Sequence, residues 1–317
     1  MGENLCEKTI GISFDFLAVL YAFTAALRQH FQIKSGANQN DTITYQDVKG
    51  EVKLPKDPKR IVLLAESYYG DLVTLGKTPI AATAPIFKNP FYKGKTDGVK
   101  NLGPTPSVEK VAALKPDMII AWGEDEKFDQ YKKIAPTVAI KYNQYSFKDQ
   151  LKEFGKMTGT PKKAAEWITK WDTKIAEVKP KVTKAVGSKT VSIVSPFDKG
   201  IYIFGNTFAR GGEIIYDELK LRAPKAVKKD AIDSGVGYAN ISLEKLPEYA
   251  GDYIFTSPWS GSKSKGDQVY ESSIWTSLPA VQNKHVFEID PVGYFFNDPV
   301  SLEGQLEFIV DRLTSAS

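Results

Sequence analysis

Cysteine and histidine are nearly missing from this chain, which has one Cys, at position 6, and two His in 317 residues. A Cys/His zinc site or a Cys/His nucleophile pair is therefore not expected. A lone cysteine also supplies no disulfide framework. Charge of one sign is scarce too: the formal net charge is +4, lysines are scattered, and no sustained arginine run appears. That balance argues against nucleic acid as a partner. The sequence contains no G-x-S-x-G, no Walker loop, no Rossmann glycine fingerprint and no H-E-x-x-H, so the motif-borne enzyme classes find no support. Its apolar run Phe16–Leu27 is too short for a transmembrane helix.

What is present is ordinary globular material, 42% hydrophobic and 25% charged, enough for a full core. A long helix organises it. Thr160 is a candidate N-cap and Pro161 suits the first helical position. Trp167, Ile168, Trp171, Ile175, Val178, Val182 and Val186 recur every three or four residues as one apolar stripe. Gly187 is placed to close the helix, and Pro180 is expected to kink it. At ~1.5 Å per residue such a helix reaches ~40 Å, longer than one compact domain needs. It reads as a spine joining two halves, or else as an amphipathic helix packed on a single domain.

Apolar strand runs alternate with helical stretches on both sides of this spine. Ile61-Val-Leu-Leu-Ala, Pro79-Ile-Ala-Ala-Thr, Asp117-Met-Ile-Ile-Ala-Trp and Thr137-Val-Ala-Ile-Lys precede it. Thr190-Val-Ser-Ile-Val, Asp252-Tyr-Ile-Phe-Thr and His285-Val-Phe-Glu-Ile follow it. The pattern predicts α/β architecture with buried parallel strands. An internal repeat supports two similar lobes: the segment from Ser107 to Ile120 matches that from Ser242 to Phe255 at a constant offset of 135 (242 − 107). Each copy reads as a Ser-capped helix feeding a buried strand. Such folds bind ligands beyond the carboxyl ends of their strands.

The domain limits that follow are 1–42, 43–159, 160–187 and 188–317: leader, N-terminal α/β lobe, connecting helix and C-terminal α/β lobe. Residues 1–42 read as a damaged or atypical export signal with a flexible spacer, or equally as a leader with no targeting role.

Aromatic residues are numerous (17 Phe, 15 Tyr, 5 Trp), and many fall where loops should follow strands. Tyr68, Trp122, Tyr142, Tyr202, Phe208, Trp259, Tyr294 and Phe295 are candidates to line a cleft, although singly each is more often core. Glu124-Asp125-Glu126 reads as a solvated loop. Arg210 precedes Gly211-Gly212, where a sharp turn should start a helix from Glu213 to Leu219. An arginine fixed at such a turn presents a fork of donors to an oxygen-rich ligand, or else makes an internal salt bridge.

Three segments carry a resemblance: Leu54-Pro-Lys-Asp-Pro-Lys-Arg-Ile-Val, Tyr202-Ile-Phe-Gly-Asn-Thr-Phe-Ala-Arg-Gly-Gly-Glu and Gly293-Tyr-Phe-Phe-Asn-Asp-Pro. From about residue 43 to 313 the chain resembles the ferric-siderophore-binding lipoproteins of Gram-positive ABC importers. It is most similar to those that take ferric hydroxamates such as ferrichrome and ferrioxamine. The resemblance implies two Rossmann-like lobes joined by one long helix, the helical-backbone (class III) type of periplasmic binding protein. It implies a non-enzymatic receptor without a cofactor, monomeric, with iron held by the siderophore and not by protein ligands. Its hydroxamate-contacting arginine falls on Arg210, and its pocket aromatics fall on Tyr142, Tyr202, Phe208 and Phe295. Its two permease-docking glutamates fall on Glu109 and Glu244, which unaided read as first-turn glutamates favouring helix starts. Close relatives can carry Trp where this chain has Phe208 and Phe295.

Ferric hydroxamates are neutral or singly charged, so aromatic walls with Arg210, joined by Lys88 or Lys93, suit them. A catecholate or citrate chelate would call for more basic side chains. An enzyme on a two-lobed scaffold and an adhesin-like surface module are the readings from other classes. The family is anchored by lipid on the extracellular face of the membrane. Cys6 precedes the apolar run, so it cannot be the acylated cysteine, and the position of that run points to a frameshifted or misassigned start.

Overall fold

A computed structural model describes residues 41–259 and 266–316. The expected signal and spacer, and Cys6 with them, lie outside the described residues. Residues 42–317 group as one compact unit.

The chain begins with an antiparallel hairpin, β1 (Thr42–Asp47) and β2 (Gly50–Pro55). Its Asp47 accepts the Lys49 amide within the turn at 2.7 Å. The other oxygen of Asp47 accepts the Ala139 amide at 2.7 Å, which ties the hairpin to the edge of the first sheet.

That sheet is wholly parallel, in the order β5-β4-β3-β6-β7. It consists of β3 (Ile61–Leu63), β4 (Ala81–Ala82), β5 (Lys100–Asn101), β6 (Met118–Trp122) and β7 (Thr137–Ile140). The central strands β3 and β6 are continuous apolar runs because both faces are covered. Leu63, Ile120 and Val138 face one hydrophobic cluster, and Val62, Ile119 and Ala121 face another. The second sheet runs β10-β9-β8-β11-β12, from β8 (Val191–Phe197), β9 (Gly200–Phe204), β10 (Tyr238–Ile241), β11 (Tyr253–Thr256) and β12 (Val286–Glu288). Here β8, β11 and β12 are parallel, whereas β9 and β10 are antiparallel additions. In both sheets the order reverses between two central parallel strands, β3/β6 and β8/β11. This is where an open α/β sheet leaves a crevice.

The internal repeat is structural. Ser107 and Ser242 are both extended residues that start a short helix. The aspartates that close the two copies then do the same work. Asp117 accepts the Lys59 and Arg60 amides at 2.7 and 2.9 Å, just before β3. Asp252 accepts the Thr190 amide at 2.6 Å and its hydroxyl at 2.9 Å, just before β8. Each carboxylate therefore sets the register between neighbouring central strands.

The connecting helix, Pro161–Val186, runs unbroken through Pro180 and ends at Gly187 with φ +62°. Thr160 precedes it but makes no side-chain cap; its hydroxyl pairs with that of Thr158 at 2.8 Å. The stripe divides by length. Ala164 and Ile168 pack on the core of the first sheet, Trp171, Ile175, Val182 and Val186 on that of the second, and Trp167 touches both.

A second connection was not expected from the sequence. Phe296, near the end of the chain, lies in the core of the first sheet with Tyr92, Tyr69 and Leu72. Asp298, which caps the last helix (Pro299–Ser315), accepts the Tyr92 hydroxyl at 2.6 Å and the Ser301 hydroxyl at 2.7 Å. Gly70 permits this approach, because a Cβ there would collide with Asp298 Oδ1. No helix among the described residues is long and apolar enough to cross a membrane.

Candidate functional site

The cleft at the carboxyl ends of the central strands has a volume of about 510 Å³, within the usual range for small-molecule sites. Glu66 and Ser67 enter it from the turn after β3, Trp122 and Glu124 from the end of β6, and Ile140, Lys141 and Tyr142 from the end of β7. From the second sheet come Phe204 at the end of β9, Phe208 and Arg210 after it, Trp259 after β11, and Phe295 ahead of the last helix.

Arg210 occupies an unusual backbone. Ala209, Arg210 and Gly211 form a left-handed run with φ of +59°, +62° and +85°. For non-glycine residues this costs roughly 1–2 kcal/mol each, so the surroundings must hold it. The Ala209 amide donates to Glu213 Oε1 at 2.9 Å and the Arg210 amide donates to the Tyr294 carbonyl at 2.7 Å. Glu213 Oε1 also accepts Asn297 Nδ2 at 3.3 Å. The two conspicuous sequence segments thus brace one another: 293–298 supplies the acceptor and the amide that fix the turn in 204–213. Gly212 is required as well, because a Cβ there would collide with the Gly205 carbonyl. The helix expected from Glu213 is a wide π-type turn, Glu213–Glu218, in which the Leu219 amide reaches back to the Ile214 carbonyl at 2.8 Å.

Arg210 is 4% exposed, yet among the described residues its guanidinium makes no hydrogen bond and no ion pair. Three aromatic rings surround it instead, with Cζ 5.1 Å from the Phe204 centroid, 4.9 Å from Trp259 and 5.0 Å from Phe295. Cation–π attraction supports the charge there without consuming its donors. Burial lowers the Arg210 pKa to about 10, still far above neutrality, so the group stays cationic. Burial also raises Glu213 and, with the Glu213 charge as a secondary cause, pushes Tyr142 up to about 12. The site therefore presents a fixed cation with free N–H groups inside an aromatic enclosure. It is suited to donate hydrogen bonds to the oxygen atoms of a ligand.

The aromatic wall is continuous. Trp122 meets Tyr142 at 6.1 Å, Tyr142 meets Phe208 at 5.8 Å, and Phe208 meets Tyr238 at 5.2 Å. Tyr202 does not line the cleft but backs it, 5.2 Å from Trp259 and stacked on Phe197 at 4.2 Å. Two other predicted wall residues belong to the core. Tyr68, 2% exposed, sits behind Trp122 with its hydroxyl donating to the Lys141 carbonyl at 3.4 Å. Tyr294, also 2% exposed, packs between Phe91 and Phe308 with its hydroxyl toward the Gln305 carbonyl. For both, the helical turn directs the ring inward, a direction that position after a strand does not reveal.

Sequence reasoning missed Glu66, Ser67, Ile140 and Lys141, and read Glu124 as solvated only. Lys141, not Lys88 or Lys93, is the lysine in the lining. All of these residues lie at or just past the carboxyl end of a parallel strand, a rule that would have found them. Glu109 and Glu244 are exposed and do not belong to this lining. They are equivalent: each lies two residues after its helix-starting serine, and its own amide and that serine hydroxyl hold its carboxylate below the usual range.

Residues 61–292 match the family model of the periplasmic binding proteins. The chain is 52% identical over 313 residues to the iron(3+)-hydroxamate-binding protein FhuD of Bacillus subtilis, covering 97% of this chain and 98% of that protein. It is 35% identical to the iron(3+)-hydroxamate-binding protein YxeB of the same organism, over 88% of this chain and 87% of that one. A B. subtilis crystal structure described as a periplasmic binding protein component of a ferrichrome ABC transporter superposes with a TM-score of 0.82 at 54% identity, covering 85% of this chain and 99% of that one. FhuD2 of Staphylococcus aureus with bound ferrioxamine B gives 0.75 at 32% identity, over 82% and 99%. The chain belongs to the periplasmic binding protein family.

Proposed function

From that membership we propose that the protein is the substrate-binding component of an ABC importer, that it captures Fe(III)-hydroxamate siderophores such as ferrichrome and ferrioxamine B, and that it delivers them to the permease. The observation that carries the reading is Arg210: a buried cation with unused donors, walled by Trp259, Phe204 and Phe295. Hydroxamate oxygens around a ferric ion are partly negative and still able to accept. A guanidinium can therefore bind the complex from outside while iron stays with the siderophore. In this reading the lobes are 43–159 and 188–317, joined by 160–187, and the protein acts as a receptor without catalysis. It works on the extracellular face of the membrane, and Glu109 and Glu244 meet the permease, one from each lobe.

Receptors for ferric catecholates or ferric citrate are a weaker reading. Such chelates carry up to about three negative charges, whereas the lining pairs Arg210 and Lys141 with Glu66 and Glu124.

The test is a titration followed by tryptophan fluorescence, since Trp122 and Trp259 both line the cleft. Quenching by ferrichrome and ferrioxamine B but not by a ferric catecholate is expected. Arg210→Ala should weaken the hydroxamates by about 10- to 100-fold, the worth of a charge-assisted hydrogen bond. Unchanged affinity would remove Arg210 from the site, and no response from the native protein would overturn the reading.

A further inference from the structure

We infer that the cleft also reads the charge of the siderophore, that Glu66 is the residue that reads it, and that the ligand class taken best is a ferric trihydroxamate with a pendant ammonium group. This rests on the hydroxamate reading above.

The charges of the lining are segregated. The first sheet contributes Glu66, Glu124 and Lys141, and the second contributes Arg210. One wall therefore carries a net negative charge and the other a positive one. Arg210 can take the hydroxamate oxygens, but nothing neutral needs a carboxylate wall. Glu66 is also held in place. Its Oε2 accepts the Trp122 indole N–H and the Thr83 hydroxyl, each at 3.3 Å. Thr83 is buried and Trp122 is itself part of the wall. Among the described residues Oε1 makes no hydrogen bond, so the carboxylate has an acceptor to spare.

Glu66 opens the short helical turn that follows β3, at the point where the strand order reverses. Glu124 and Lys141 are exposed, where solvent and salt screen them. Glu66 is half-buried, so its field on a ligand is stronger. A ligand bound with its ferric core against Arg210 would then turn a cationic arm toward Glu66. The same carboxylate repels a trianionic catecholate complex, which makes it a filter in both directions.

The competing account is that Glu66 only orients Trp122. Glu66→Gln separates the two, since it keeps an oxygen for Trp122 and Thr83 and removes the charge. The experiment measures Kd for ferrioxamine B, which bears a terminal ammonium, and for N-acetylated ferrioxamine B, which has the same core without that charge. The native protein, E66Q and E66A are compared at low salt. A native preference for the ammonium form of about fivefold is expected. It should fall to near one in E66Q, and a ferric catecholate should bind E66Q more tightly than the native protein. A native ratio of one, or a ratio unchanged in E66Q, would overturn the filter while leaving hydroxamate recognition intact. Equal weakening of both ligands in E66A with E66Q like native would also overturn it, assigning Glu66 to Trp122 alone. If neither ligand binds the native protein, the hydroxamate reading fails and the filter with it.

Discussion

The Tyr92 hydroxyl donates to Asp298 Oδ2 at 2.6 Å across 206 residues of sequence. Asp298 also accepts the Val300 and Ser301 amides at 3.0 and 3.2 Å, and the Ser301 hydroxyl accepts Asn89 Nδ2 at 3.0 Å. The start of the last helix is thereby fastened to the first lobe.

Tyr92→Phe should destabilise the protein by about 1–2 kcal/mol, because it leaves one buried acceptor short of a donor. Asp298→Ala should cost about 3 kcal/mol or more, since it removes a helix cap and strands several buried donors together. Urea denaturation measures both. Equal effects from the two substitutions would mean that the tyrosine bond, not the cap, carries the connection.

Asp71 is fully buried beside this cluster, held by Gln150 Nε2 at 3.0 Å. Burial first, and then the charge of Asp298, holds its carboxyl well above the ordinary range. Such a carboxyl costs nothing below its unfolded pKa of about 3.9. Its cost grows as pH rises from there toward its folded value. Asp71→Asn should therefore match the native melting temperature near pH 4 and exceed it at pH 8. Thermal melts at both pH values check this, and a variant less stable at pH 8 would contradict it.

Gly212→Ala drives a methyl into the Gly205 carbonyl. The turn that presents Arg210 cannot absorb it, because Ala209 and Arg210 are already left-handed. Stability should fall by about 3 kcal/mol or more, and ligand affinity should fall further than stability alone explains. Gly187→Ala, at the end of the connecting helix, is the control: its Cβ meets nothing within 4 Å, although its φ is +62°. With ψ at −125° that backbone is unfavourable for any side chain, so stability should fall by about 1–3 kcal/mol while binding is left alone.

Glu109→Ala and Glu244→Ala should leave ferric-hydroxamate affinity unchanged and lower uptake in cells that express the matching permease, the double variant more than either single one. Uptake of labelled ferric siderophore measures this. Full uptake by the double variant would place the contact elsewhere.

Much of this fold was legible because its signals are local. Ile61–Leu63 and Met118–Trp122 are unbroken apolar runs, and the stripe from Trp167 to Val186 has helical period. The repeat of Ser107 in Ser242 announced two similar sheets. What escaped depends on partners distant in sequence. Strands β9 and β10 are alternating and partly exposed, so their apolar content is diluted. Nothing local in Phe296 says that it fills the other lobe's core. At the site, Arg210 stood out through its glycine neighbours, but the inward turn of Tyr68 and Tyr294 follows from backbone direction. Glu66 and Lys141 looked like surface residues because the opposite wall, which turns them into cleft residues, arrives more than sixty positions later.

The insertion of Phe296 into the first lobe has a consequence for biosynthesis. The chain is made from its N-terminal end, so the first sheet is complete long before its last core residue exists. Until Phe296, Asp298 and Ser301 emerge, the Tyr92 hydroxyl lacks its acceptor and the helix surface at Gly70 is uncovered. The first lobe must therefore wait for the end of the chain before it can close. A nascent or truncated protein that ends before Phe296 should be a client for chaperones and proteases even though every strand of both sheets has been synthesised.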